Sequence, residues 1–231
     1  MPEPKQNQHV ILWDIDGTLV NARASRADKH VTAVEAFLGR DLPNQERTAG
    51  KTDRQILYEL LESQGTVPTP AALTEVLGIL DKISIKEINQ YPVSCNPGVT
   101  NALKMASSTG WVNGLLTGNT PVRAQAKLES AGIWGVFDSD FSYFGSEALS
   151  RGDLVSSSVQ AIRSAGCSVA IVIGDTPLDI RSAKEHKLQV VGVATGPYSV
   201  AELRAWDPDL LINDCESGWA SLAAFLDSLH V

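Results

Sequence analysis

The stretch from His9 to Val20, HVILWDIDGTLV, constrains this chain more than any other. Four apolar residues, Val10, Ile11, Leu12 and Trp13, run without interruption and stop at two aspartates, Asp14 and Asp16. The run reads as a buried strand. Gly17 then lets the backbone turn, and Thr18 follows. Side chains alternate along a strand, so aspartates two residues apart leave it on the same side. Two carboxylates converging at the mouth of a sheet suit a hard cation and an acid–base pair.

Further short apolar runs recur downstream. Strands are expected at 111–117, more weakly at 136–144, then at 169–173, 190–194 and 210–212. Helical patterns separate them at 98–108, 121–131, 153–165, 177–185, 199–205 and 218–229. Strands alternating with helices predict an α/β fold, a doubly wound and mainly parallel sheet of Rossmann-like type. In such sheets a ligand sits beyond the carboxyl ends of the strands, where the Asp, Thr, Asn and Gly residues collect here.

One segment breaks the alternation. Residues 20–92 carry no convincing strand but show helical patterns at 27–38, 53–63, 70–79 and 81–89, punctuated by Pro43, Gly50, Gly65, Pro68 and Pro70. The expected organisation is an α/β core from residues 1–20 and 93–231, with an inserted α-helical cap over 21–92. Asn96 is expected to cap the next helix and Pro97 to occupy its first turn.

The 231 residues carry a formal net charge of −8, which argues against nucleic acid or an anionic membrane as the main partner. An anionic small molecule stays possible, because a metal and local basic residues can reverse the field inside a site. Cys95, Cys167 and Cys215 are widely spaced and odd in number, as expected for free thiols in a reducing cytoplasm. The polar N-terminal MPEPKQNQ lacks the apolar core of a signal peptide, and no membrane span is expected.

Four strand-end stations stand out: Asp14-x-Asp16-Gly17-Thr18, Thr117-Gly118-Asn119, a basic residue, and Gly174-Asp175-x-x-x-Asp179. In this order they resemble the haloacid dehalogenase superfamily of phosphotransferases over nearly the whole chain. The resemblance implies that Asp14 is the nucleophile and a Mg²⁺ ligand, forming an aspartyl-phosphate. Asp16 would protonate the leaving alkoxide, then activate water, and lend its backbone carbonyl to the metal. Asp175 would be the second carboxylate ligand and Asp179 would support the metal shell. Thr117 would hydrogen-bond a phosphoryl oxygen. Gly17, Thr18, Gly118 and Asn119 would line the phosphoryl site through their backbone. Read alone, Asp175 could instead cap the helix near Pro177.

The third station departs from the usual lysine. No lysine lies between Lys127 and Lys184, and Arg151 is the stand-in, 24 residues before Asp175. An arginine holds phosphate bidentately, though an exposed residue before a helix is the alternative. An aspartate at position 16 favours phosphoester chemistry over carbon–halogen cleavage, since only an alkoxide needs that proton. In the cap, Thr48-Ala49-Gly50-Lys51-Thr52-Asp53 resembles a loop that reaches into the site. Lys51 would meet an anionic part of the substrate and Asp53 would cap a helix; Arg23, Arg26 and His30 would line the entrance or face solvent. The expected enzyme is a Mg²⁺-dependent phosphatase of a small phosphorylated metabolite, phosphoglycolate- or sugar-phosphate-like. The alternatives are a phosphomutase of the β-phosphoglucomutase type and a non-catalytic binding module.

Overall fold

The computed structural model describes residues 8–21, 28–42 and 50–229. The expected positions Arg23, Arg26, Thr48 and Ala49, like the polar stretch at 1–7, lie outside the described residues. The elements run β1 (His9–Trp13), α1 (Lys29–Leu38), α2 (Asp53–Ser63), α3 (Pro70–Gln90), α4 (Val99–Ser108), β2 (Trp111–Thr117) and α5 (Pro121–Ser130). There follow β3 (Ser142–Phe144), α6 (Arg151–Ser164), β4 (Val169–Gly174), α7 (Pro177–Glu185), β5 (Gln189–Val193), α8 (Val200–Arg204), β6 (Leu210–Ile212) and α9 (Trp219–Ser228).

The strands form one parallel sheet in the order β3-β2-β1-β4-β5-β6. The chain winds outward from β1 in one direction through β2 and β3, and in the other through β4, β5 and β6. The crevice between those two halves opens above β1, the switch point where a doubly wound sheet binds its ligand. Register aligns the strand ends there, for Trp13 pairs with Leu115 on one side and Ile173 on the other.

Alternation along β1 sorts its side chains into two cores. Ile11 and Trp13 pack with α4, α5 and α9 on one face; Val10 and Leu12 pack with α6, α7 and α8 on the other. Covered on both sides, β1 needs an unbroken apolar run, and all four residues are fully buried. Trp13 is a core residue of this kind, its indole N–H donating to Asn113 Oδ1 at 2.9 Å.

Helices α1, α2 and α3 carry a third apolar cluster of their own, built from residues such as Val34, Leu57, Leu61, Val76 and Leu80. Here α3 is one helix of 21 residues where two were expected. Leu73, Val76, Leu77, Leu80, Ser84 and Ile88 keep one buried face at helical spacing straight through Gly78 and Asp81. The expected strand at 136–144 is instead two 3-10 turns, Trp134–Val136 and Ser139–Phe141, before the three residues of β3. Asp138 enforces the second turn by accepting from the Asp140 N–H at 2.8 Å.

Asn96 does not cap α4, which begins at Val99 after a left-handed Gly98. Its side-chain amide donates instead to the carbonyls of Gly17 and Thr18, at 2.9 and 3.0 Å, and so anchors the turn after β1. The cysteines form no disulfide among the described residues, and no described helix is long and apolar enough to cross a membrane.

Candidate active site

Asp14 follows the last residue of β1, its N–H bonded to the Ile173 carbonyl at 2.9 Å. Asp175 follows β4 in the same way, one strand over. Asp179 comes from the first turn of α7, where Thr176 and Asp179 form a reciprocal capping box. The capping box occupies one Asp179 oxygen with the Thr176 N–H and hydroxyl, at 3.1 and 2.6 Å. It turns the carboxylate toward its neighbours: oxygens of Asp14, Asp175 and Asp179 all lie within 4.8 Å of one another. Thr176, not Asp175, caps the helix, so Asp175 is left to the cluster.

Gly17 and Thr18 stand behind Asp175 instead of on the cavity wall. The Thr18 hydroxyl donates to Asp175 Oδ1 at 3.0 Å. Gly17 has a φ of 86° and presses its α-carbon against the same carboxylate, so a side chain there would be strained and would collide. The other Asp175 oxygen, Oδ2, is buried with no hydrogen-bond partner.

These carboxylates are crowded and buried. Burial pushes the Asp14 carboxyl up to about 7 even though the Arg151 charge pulls it down, with Asp179 and Asp16 adding repulsion. Burial and the Asp14 charge push Asp175 well above the carboxylate range. Three converging carboxylates with a single guanidinium among them lack positive charge. An all-oxygen, negatively charged set with an orphaned buried oxygen fits a hard divalent cation such as Mg²⁺.

That guanidinium is Arg151, the first residue of α6 after its Ser150 cap. It is 3% exposed, which excludes the solvent-facing alternative. Its Nη2 donates to the Leu116 carbonyl at 2.7 Å and to Asp14 Oδ1 at 3.3 Å, and lies 2.5 Å from Asp179 Oδ1. Anchoring to the β2 carbonyl fixes the planar group against the nucleophile candidate.

Asp16 stands outside the carboxylate cluster, in a clamp that the sequence reading missed. Lys127, on the buried face of the last turn of α5, donates to both Asp16 oxygens at 2.7 and 2.5 Å and to Asn119 Oδ1 at 2.7 Å. Asn119 donates to Asp16 Oδ2 and to Thr117 Oγ1, both at 2.8 Å. Burial would raise the Asp16 carboxyl, but the Lys127 and Arg123 charges and the Lys127 and Asn119 bonds outweigh it and hold it low. With its side chain 42% exposed toward the cavity, solvent moderates that effect. Thr117 is fully buried, and its Oγ1 also accepts from the Asn119 N–H at 3.3 Å. With its lone pairs used in this way, its own proton is the part left to donate.

The insert supplies the other wall. A cavity of about 260 Å³ reaches from Asp14, Asp16, Lys127 and Asp175 to Lys29, His30, Lys51 and Asp53, with Gly118 and Asn119 on its rim. Lys51, two residues before α2, is engaged by Glu59 of that helix at 2.6 Å. Asp53 does not cap α2, since Thr52 does; its buried carboxylate pairs with Arg123 and with His30 Nε2. A wider groove of about 570 Å³ lies between α3 and α5, lined by Ile85, Ile88, Pro92 and Val122, and none of the carboxylates above lines it. The signal for Arg123 and Lys127 was present in the sequence: two cations four apart on a helix that opens directly after Thr117-Gly118-Asn119, on the side of the buried Ala124 and Leu128.

The model of the haloacid dehalogenase-like hydrolase family matches residues 11–193. The protein named "Probable phosphatase IndB" of Dickeya dadantii is 25% identical over 217 residues, covering 88% of this chain and 89% of that one. Among solved structures, a hydrolase from Pseudomonas syringae superposes with a TM-score of 0.70 at 19% identity, over 97% of this chain and 100% of that one. CbbY from Rhodobacter sphaeroides, in complex with phosphate, gives 0.68 at 16% identity, over 91% and 96%. At such identities the structural likeness speaks for the fold. The matched span, however, runs from β1 through β5 and takes in the three-carboxylate cluster, Arg151 and the Asp16 clamp. By that match, this chain belongs to the haloacid dehalogenase-like hydrolase family.

Proposed function

We propose that the chain is a Mg²⁺-dependent phosphatase of a small phosphorylated metabolite, phosphoglycolate- or sugar-phosphate-like, working through an aspartyl-phosphate on Asp14. The observation that carries this is the division of labour among the carboxylates. Asp14, Asp175 and Asp179 crowd around one point, while Asp16 is held apart by Lys127 and Asn119 at the same cavity. A cation site and an acid–base residue side by side are the two requirements of phosphoryl transfer from a poor leaving group. The names of IndB as a phosphatase and of CbbY as a phosphate complex agree with that chemistry.

Mg²⁺ held by Asp14, Asp175, Asp179 and the backbone carbonyl of Asp16 would supply charge neutralisation to the phosphoryl group. Arg151, fixed by the Leu116 carbonyl, adds a second positive charge beside Asp14. Thr117 donates its hydroxyl proton to a phosphoryl oxygen, and the backbone of Gly118 and Asn119 completes that side. An Asp14 oxygen attacks phosphorus, the ester P–O bond breaks, and the departing alkoxide takes the Asp16 proton. Asp16 is ionised in the clamp described above; the negative charge of an arriving ester raises its carboxyl and favours the protonated form. Once ionised again, Asp16 takes a proton from water, which attacks phosphorus and releases inorganic phosphate and Asp14. The three-helix insert acts as a cap that excludes bulk water during these steps.

A panel of phosphorylated metabolites, with free phosphate as readout and Mg²⁺ present or removed by EDTA, tests the proposal. Mg²⁺-dependent phosphate release, abolished in Asp14→Asn, is the expected result. Release of an isomeric sugar phosphate in place of free phosphate would identify a mutase, and silence across the panel a binding module.

A further inference from the structure

A polar seam joins the insert to the core beside the active-site cavity. The Asp53 N–H donates to the Gly118 carbonyl at 2.7 Å, and the Thr120 N–H returns a bond to Asp53 Oδ2 at 3.0 Å. The Thr52 hydroxyl lies 3.2 and 3.1 Å from the carbonyls of Ala148 and Leu149, and the Thr120 hydroxyl donates to Asp81 of α3 at 2.5 Å. At the centre of this seam sits Arg123, a core residue only 4% exposed.

Three carboxylates surround Arg123: Asp53 pairs with its guanidinium, Asp16 lines the same cavity, and Asp81 accepts from Thr120, three residues earlier on the same turn. Asp53 and Asp81 belong to the insert, and Asp16 belongs to the core. Arg123 and Lys127 share one face of α5, so two cations approach the same catalytic station. In the docked arrangement the charges divide cleanly, Asp53 with Arg123 and Asp16 with Lys127. Asp53 also accepts from His30, and that second cationic or polar partner pins its carboxylate in place.

From this geometry we infer that Arg123 is a positioning residue that changes partner with the state of the insert. With the insert docked, Asp53 holds Arg123 away and leaves Asp16 to Lys127 and Asn119. With the insert lifted, Asp53 and Asp81 leave together, and Asp16 is the carboxylate that remains within reach. Arg123 then competes for Asp16 and draws it from the reacting oxygen. The acid–base residue is thereby released only under a docked insert, which couples the exclusion of water to the start of chemistry. This inference rests on the role given to Asp16 above.

The Asp53→Asn variant removes the holding charge while keeping the size of the side chain. Its test compares the alkyl phosphate hydrolysed fastest in the metabolite panel with p-nitrophenyl phosphate, whose leaving group needs no proton. For Asp53→Asn, kcat/KM on the alkyl ester, which reports the steps up to phosphoenzyme formation, is expected to fall about 100-fold, the low end of what positioned acid–base catalysis contributes, and much less on the aryl ester. The double variant Asp53→Asn/Arg123→Gln, with no cation left to compete, is expected to recover most of the alkyl activity. A seam that served only as glue predicts parallel losses on both esters and a double variant no better than the single; that result overturns the inference. If Asp53→Asn does not fold, Asp81→Asn, which removes the other carboxylate that the insert brings near Arg123, takes its place in the same two-ester comparison, and parallel losses on both esters overturn the inference equally. A wild-type protein inactive on both esters refutes the phosphatase reading and this inference with it, whereas an active wild type without rescue refutes the switch alone.

Discussion

Replacing Arg151 by methionine removes the one guanidinium among three carboxylates and keeps much of the packing volume. Its partners are explicit: the Leu116 carbonyl at 2.7 Å, Asp14 at 3.3 Å and Asp179 at 2.5 Å, with the residue 3% exposed. Breaking one side of a buried ion pair costs about 3–5 kcal/mol, because the remaining charge stays buried and uncompensated. For a chain of this size that corresponds to a fall in Tm of about 6–20 °C. Protonation tempers the loss. Burial already pushes Asp14 up to about 7 with Arg151 beside it, and losing Arg151 raises it further. A carboxyl raised in the folded state binds its proton there more readily than in the unfolded chain, so its contribution falls as pH rises through the folded value. The penalty of Arg151→Met is therefore smaller at about pH 6, where Asp14 is protonated in both proteins, and larger at about pH 8. Mg²⁺ supplies the missing charge: a hundredfold excess over its Kd stabilises a folded protein by about 2.7 kcal/mol, and the gap narrows by as much as the variant, rid of the neighbouring cation, gains over the wild type. Urea unfolding followed by tryptophan fluorescence, in EDTA and in Mg²⁺ at both pH values, measures each part. A variant within about 0.5 kcal/mol of wild type in EDTA at the higher pH, the scatter of ordinary surface substitutions, would refute the argument that Arg151 compensates the cluster.

Three further outcomes are expected. Thr18→Val removes the hydroxyl that orients Asp175 Oδ1, and should weaken Mg²⁺ affinity about 10- to 100-fold, as read from a Mg²⁺ titration of phosphate release. Lys127→Met releases Asp16 from its clamp; kcat on an alkyl phosphate should drop about tenfold or more with KM little changed, and steady-state kinetics that show the reverse pattern would place Lys127 in substrate binding. Asp53 supplies an acid limit: burial would raise its carboxyl, but the Arg123 charge and the His30 bond hold it below the ordinary carboxylate range. The unfolded chain then takes up that proton first, so stability drains away as pH falls below about 4, and Asp53→Asn should flatten this part of the unfolding profile.

The pattern of what could be read in advance has a physical basis. Buried parallel strands need uninterrupted apolar runs, so β1, β2, β4, β5 and β6 were visible in the chain as written, and their ends disclosed Asp14, Thr117 and Asp175. The helical insert was visible too, because its periodicity is local. Its segmentation was misjudged at Gly78 and Asp81, through which α3 keeps one buried face. Harder to read were side chains whose partners come from distant parts of the chain. Lys127 is bound to Asp16, 111 residues away, and Thr120 to Asp53, 67 residues away. The local pattern, two cations four apart beside Ala124 and Leu128, sets such a lysine at the edge of an apolar helix face but does not say which carboxylate it meets. Arg151 illustrates the same division: its type and position were legible, but solvent and the carboxylate cluster were equally open to it until α6 packed against the sheet. A linear chain thus declares which residues must be covered and where strands must stop, because those needs are met by neighbours in sequence. Which charges meet, and therefore which carboxylate is held apart for proton transfer, is decided only when the insert docks on the 118–120 turn and brings unrelated segments within hydrogen-bonding distance.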